Sequence, residues 1–281
     1  MRPSLVAAFL ATALTVPQPR ASAQLPGVDA RPGAIVFRPL LADPKEPQFF
    51  AAYLWARSPR LGSRLGSVGF GETIGLVRVK DWQIAIAAGV FSEFNMRSST
   101  TDLLNTDYLV GLPLAYRHGA WAARFSVFHQ SSHLGDEYIA HTHAQRVDLT
   151  FEAAELLLAT EIAPWRVYGG GEYIFAHSPA DLRPAVLHGG VEYRAREAVV
   201  RVGSLAAGRL VAALDAKSAQ DDAWRVGWSL LAGLELGDPQ AAPGTGWRWS
   251  VLVKAFSGPA PYGEFFRDHF ASVGAGVGFT L

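Results

Sequence analysis

ASVGAGVGFTL, residues 271–281, alternates without a break: Ala271, Val273, Ala275, Val277, Phe279 and Leu281 fall on one side, Ser272, Gly274, Gly276, Gly278 and Thr280 on the other. Successive side chains of a strand point to opposite faces, so this strand has one wholly apolar face and one face of small or polar residues. A β-barrel with lipid outside and a polar lumen inside requires that pattern.

The same two-residue period recurs upstream. Trp247, Trp249, Val251, Val253 and Ala255 oppose Arg248, Ser250 and Lys254, and Trp224, Val226, Trp228, Leu230, Ala232 and Leu234 oppose Arg225, Gly227, Ser229, Gly233 and Glu235. Weaker alternation over 49–58, 66–79, 81–94, 106–117, 120–133, 145–161, 164–176, 184–195 and 204–217 brings the number of strands to about twelve. The joints at 79–81, 118–119 and 163–164 are tight, whereas those at 58–65, 95–105, 134–144, 177–183 and 257–269 are longer. Short periplasmic turns, longer outside loops and an even strand number define a bacterial outer-membrane barrel. The joint at 196–203 falls on the periplasmic side yet is not short, which leaves ten strands as the alternative. The fold class expected is therefore all-β, a closed antiparallel transmembrane barrel occupying residues 49–281.

Residues 1–23 read as a signal peptide: Arg2, an apolar run from Leu5 to Val16, and Ala21-Ser22-Ala23 before Gln24. That run is too short to span a bilayer as a helix, and Pro17 and Pro19 follow it. Residues 24–48, proline-containing and without alternation, read as a periplasmic N-terminal extension. No later run reaches spanning length without a charge, so any membrane passage has to be made by strands. Cysteine is absent, which excludes disulfides, thiolate metal sites and a catalytic thiol. Basic and acidic residues number 25 each, so nucleic acid is not an expected partner. The expected partners are outer-membrane lipids and the barrel-assembly machinery, in the outer membrane after cleavage near Ala23.

Chemistry concentrates on the strand at 120–133. Trp121, Ala123, Phe125 and Val127 take the lipid face, and the same parity carries His129, Ser131 and His133 onto it near the outside end. An imidazole two residues from a hydroxyl on one face can accept its proton and turn a weak nucleophile into an active one. His129 and Ser131 are thus the candidate base and nucleophile of a lipid-facing acyl-ester hydrolase. The nearest carboxylate on the following strand is Asp148, a weak third candidate, because its parity with Arg146, Thr150 and Glu152 points it inward.

This outward His-x-Ser resembles that of the outer-membrane phospholipase A and lipid A deacylase barrels, which implies hydrolysis of phospholipid or lipid A esters. The phospholipase pattern continues Asn-Gly, where this chain has Ser132 and His133. A longer stretch, LLNTDYLVGLPLAYRHGAWAARFSVFHQSSHLGDEY from Leu103 to Tyr138, with PLLADPKEPQF (39–49) and YGEFF (262–266), resembles the uncharacterised bacterial family known as domain of unknown function 1207. That resemblance implies an envelope location and no particular activity.

His133, Asp136, Glu137, His141 and His143 crowd one outside loop and are the weak candidates for a divalent metal site, the one cofactor weighed. The plainer reading of them is a solvated loop. Charges of inward parity, among them Asp107, Arg124, Arg166, Glu192 and Asp215, mix both signs and read as paired lumen fill. Alternatives to the hydrolase are a narrow solute channel and a non-catalytic structural or assembly-partner barrel.

Overall fold

The computed structural model describes residues 28–30, 33–241 and 246–280. The leader, its cleavage site and Leu281 lie outside the described residues. The strands are β1 (Val28–Ala30), β2 (Phe49–Arg57), β3 (Arg64–Val79), β4 (Trp82–Asn95), β5 (Leu103–His118), β6 (Trp121–Leu134), β7 (Thr150–Ile162), β8 (Trp165–Ser178), β9 (Ala185–Arg194), β10 (Val200–Val202), β11 (Ala206–Ala219), β12 (Val226–Gly237), β13 (Arg248–Pro259) and β14 (His269–Thr280). A short helix, α1 (Asp136–Thr142), sits between β6 and β7.

Twelve of these strands pair antiparallel with their neighbours and close through β14 on β2, from Ala271 opposite Arg57 to Phe279 opposite Phe49. At that seam the small face of residues 271–281 matters sterically. A Cβ on Gly274 would lie 2.0 Å from the Tyr53 carbonyl oxygen and 2.8 Å from the Leu54 Cα, so only glycine lets the two strands approach. The joint after β9 doubles back instead of ending the barrel: β10 pairs with the start of β11, turning through Gly203 at a φ of 53°. This hairpin explains its length and fixes the strand number at twelve.

The outward faces match the alternation. Trp82, Trp121, Trp165 and Trp249 are exposed near the tight-turn end, where Trp82 packs on Tyr116, Trp165 on Tyr193 and Trp249 on Phe279. Trp55, Tyr108, Trp224 and Trp228 are exposed toward the loop end. Two aromatic belts bounding an aliphatic band are the surface of an outer-membrane-type barrel.

Of the stretch 24–48, expected as a periplasmic N-terminal extension, residues 36–46 lie inside the barrel. Val36, Phe37 and Leu40 are buried against Ala115, Ala122, Leu157 and Tyr168 of the inner wall, and Ala42 packs on Val211, Ala213 and Leu231. Its backbone is tied to the wall as well, with Val36 N–H donating to Gln83 at 2.8 Å and Leu41 N–H to Glu192 at 2.8 Å. Irregular backbone inside a barrel has to find wall partners for its polar groups, and it does. Beyond it toward the loop end lies a cavity of about 260 Å3 lined by residues including Lys45, Glu172, Lys217 and Phe266.

A second departure lies before β7. The helix α1 occupies part of the expected loop at 134–144 and ends on His143 in the left-handed region at φ 54°. Asp148 also has a positive φ, 50°, which a strand cannot continue through, so β7 begins at Thr150 rather than 145. Arg146 and Asp148, expected inside the lumen, are exposed in the loop.

Candidate functional site

Strand β6 keeps one parity along its whole length. Trp121, Phe125 and Val127 are exposed on the outside, His129 and Ser131 follow on that face, and Ser126, Gln130 and Ser132 are buried inside. The site is therefore on the outer wall. From Trp121 to Ser131 the strand climbs about 26 Å along the barrel axis, at about 3.4 Å per residue and a tilt of about 40°. An apolar band about 25 Å tall ends at that height, so Ser131 stands at its loop-side edge.

The group that orients His129 is Glu152. His129 lies directly opposite Glu152 in the β6–β7 register, and its Nδ1 is 3.0 Å from Glu152 Oε1. Glu152 points outward, not into the lumen. On β7 it shares parity with the exposed Leu156 and Leu158, while Ala153, Glu155 and Leu157 are buried inside. Asp148, the carboxylate singled out from the sequence, is two residues short of β7 and does not bond His129. The register between β7 and β8 shifts beside Glu152, where Phe175 is passed over. Bulges of this kind recur where a strand re-aims a side chain.

A carboxylate on Nδ1 fixes that nitrogen as the proton-bearing one and turns Nε2 toward acceptance. Ser131 stands next along the same face, opposite Tyr108 and Thr150. Its hydroxyl and the ring do not hydrogen-bond in this structure; such contacts commonly tighten only when substrate binds. Hydroxyl, imidazole and carboxylate thus share one outward face.

The proposed metal ligands do not converge. His141 bonds Asp102 at 3.0 Å, His133 accepts from Arg146 at 2.7 Å, and among the described residues no three His, Asp or Glu side chains are grouped to hold an ion. Asp136 and Glu137 occupy the first turn of α1, where carboxylates favour the helix dipole. Asp102 is a loop anchor: a hydrogen bond from Thr100, and then the one with His141, hold its carboxyl below the usual range.

Inside, charges of opposite sign are paired. Arg124 bridges Glu46 of the inserted segment at 2.6 Å and Glu155 at 3.0 Å, and Glu155 meets His188 at 3.2 Å. His188 in turn meets Asp215 at 2.7 Å, and Tyr168 donates to that same carboxylate. Lys217 pairs with Asp43 at 3.0 Å.

The family model described as "Protein of unknown function (DUF1207)" matches residues 15–281. The chain belongs to this family. Three stretches by which it resembles DUF1207 in sequence meet at one buried carboxylate, Asp107. Lys45 of the inserted segment pairs with it, Ser132 donates at 2.5 Å, and Gly263 N–H donates at 3.1 Å. Lys45 also lies over Phe91 and Tyr262, so the DUF1207 motifs build the floor behind the outer-wall site.

No curated protein matches the chain. Among solved structures it is similar to outer membrane phospholipase A from Escherichia coli, at 13% identity and a TM-score of 0.56 over 85% of this chain and 93% of that one. It is also similar to the outer membrane phospholipase dimer with bound calcium from Salmonella typhi, at 13% identity and a TM-score of 0.58 over 88% and 98%. LpxR from Salmonella typhimurium aligns at 8% identity and a TM-score of 0.40, over 83% and 99%. The likeness to the two phospholipase structures shows the barrel architecture.

Proposed function

We propose that this protein is an acyl-ester hydrolase of the outer membrane, acting from its lipid-facing wall with Ser131 as nucleophile, His129 as base and Glu152 as the orienting carboxylate. The observation that carries this reading is the 3.0 Å contact between His129 and Glu152 on an outward face that carries Trp121, Phe125, Val127, Leu156 and Leu158 below them. Two half-exposed polar residues held together at the edge of an apolar band do nothing for barrel closure. Placed there, they meet the ester level of a lipid.

In the proposed reaction Ser131 Oγ attacks the ester carbonyl carbon as its proton passes to His129 Nε2. Collapse of the tetrahedral intermediate breaks the carbonyl–alkoxy bond, and the alcohol leaves with the proton returned by His129. Water, deprotonated by His129, then releases the fatty acid and restores Ser131. Glu152 stabilises the transient imidazolium throughout.

Two of the structural neighbours are outer membrane phospholipases, in keeping with this substrate class. The inserted segment and the paired charges of the lumen weigh against the channel alternative. In this reading the leader is removed near Ala23, the barrel-assembly machinery inserts the chain, and the loop end faces outward. Purified protein in mixed micelles should release fatty acid from phospholipid or lipid A esters, and Ser131→Ala and His129→Ala should each abolish release while the barrel stays heat-modifiable. Equal release by Ser131→Ala would overturn the reading.

A further inference from the structure

The outward face of β6 continues past the triad to His133, which is exposed and carries a partner the hydrolytic step does not use. Arg146, in the loop after α1, donates from Nη2 to His133 Nδ1 at 2.7 Å. A ring that accepts at Nδ1 keeps its proton on Nε2, so His133 offers a donor of its own. Tyr108 braces the imidazole edge-on, with ring centroids 5.9 Å apart. Arg146 is held from behind: the next residue, Val147, donates its N–H to buried Glu264 at 2.6 Å, and Glu264 Oε1 lies 3.9 Å from Arg146 Nε. The Arg146 side chain stays 43% exposed despite these anchors.

We infer that His133 and Arg146 form a binding site for the phosphate of an acyl lipid, positioned to present its ester to Ser131. This inference rests on the proposed hydrolase. Its first support is chemical: a guanidinium and an imidazole N–H, fixed together and open to the bilayer edge, make a preorganised set of donors for a phosphate oxygen pair. Its second support is spacing. His133 stands about 7 Å beyond Ser131 along the strand, roughly the distance that one glycerol unit puts between an acyl ester and its phosphate. The Arg146–His133 pair also lies on the loop side of the apolar band, where headgroups would be, while Ser131 sits at the band's edge. Glu264 offsets part of the Arg146 charge on the buried side only. The substrate class is therefore a phosphate-bearing acyl lipid, with phosphate as the shared chemistry of glycerophospholipid and lipid A.

The test uses the full-length barrel carrying Ser131→Ala, which cannot turn substrate over, in detergent with phosphatidylglycerol, lipid A or neutral diacylglycerol. Retained lipid is read by native mass spectrometry. A phosphate-bearing lipid should be retained about tenfold over diacylglycerol, and adding Arg146→Ala or His133→Ala should bring that ratio close to one, with Arg146→Lys restoring part of it. Whichever of phosphatidylglycerol and lipid A is retained identifies the source of the phosphate. Equal retention of all three lipids, or a ratio unmoved by Arg146→Ala in a barrel that still shows heat modifiability, overturns the inference. The protein with Ser131 intact separates the two readings. Selective retention without hydrolysis of any ester removes the hydrolase and leaves the phosphate site; hydrolysis of diacylglycerol and phospholipid at one rate, unaltered in ratio by Arg146→Ala, removes the phosphate site and leaves the hydrolase.

Discussion

Glu152 is the residue whose replacement says most about the outer-wall site. Its carboxylate makes a hydrogen bond of 3.0 Å with His129, and both side chains are a little over two-fifths exposed. A hydrogen bond to a charged group contributes about 1.5–3 kcal/mol, and every 1.36 kcal/mol of barrier is about tenfold in rate. Glu152→Ala should therefore lower kcat by about 10- to 150-fold, with KM little changed, because the contact matters most when the imidazole carries a proton. A buried carboxylate in the same role is worth about 10^4-fold, and the difference reflects water that can reach this exposed pair. Glu152→Gln keeps an oxygen acceptor for His129 but not the charge, so its loss should fall between wild type and Glu152→Ala. The assay is fatty-acid release in mixed micelles, with heat modifiability checked on each variant. A Glu152→Ala protein with unchanged kcat would refute the orienting role, whatever its effect on folding.

Other outcomes follow from the interior. Asp107→Ala leaves Lys45 buried without its counter-ion and removes acceptors from Ser132 and Gly263, so the barrel should lose about 3–5 kcal/mol, read as a lower urea midpoint in micelles. Gly274→Val places a side chain against the Tyr53 carbonyl at the closing seam and should cost about 1–3 kcal/mol, seen as a smaller folded fraction on semi-native gels. Deleting residues 33–47 should yield a barrel that conducts ions in planar bilayers where the intact protein does not. A deletion variant with the closed behaviour of wild type would show that the lumen is sealed without the inserted segment.

Strand number, closure and facing were legible because a strand's side chains alternate and a barrel has two chemically different faces. Trp121, Phe125 and Val127 alone were enough to place His129 and Ser131 outside. The carboxylate was missed through the choice of origin. Parity counted from Arg146 and Asp148 assumes that the strand already runs there, and the positive φ of Asp148 breaks it. Counted from Leu156 and Leu158, alternation puts Glu152 on the lipid face opposite His129. The inserted segment carried weaker signals. Val36, Phe37 and Leu40 are apolar and Asp43, Lys45 and Glu46 are charged, but their partners are on distant strands, and no periodicity in 33–48 announces a lumen location. The loop histidines show that proximity in sequence does not group side chains: His141 is turned to Asp102 and His133 to Arg146.

The central claim is that Ser131 is an activated nucleophile on the outer wall, and covalent labelling tests it without a choice of lipid. Folded protein in detergent is incubated with an alkyl sulfonyl fluoride, and the adduct is mapped by mass spectrometry of peptides. The account predicts a single stoichiometric adduct on Ser131, lost in His129→Ala and slowed in Glu152→Ala. An unlabelled Ser131 in a folded barrel, or labelling that proceeds equally without His129, would contradict it.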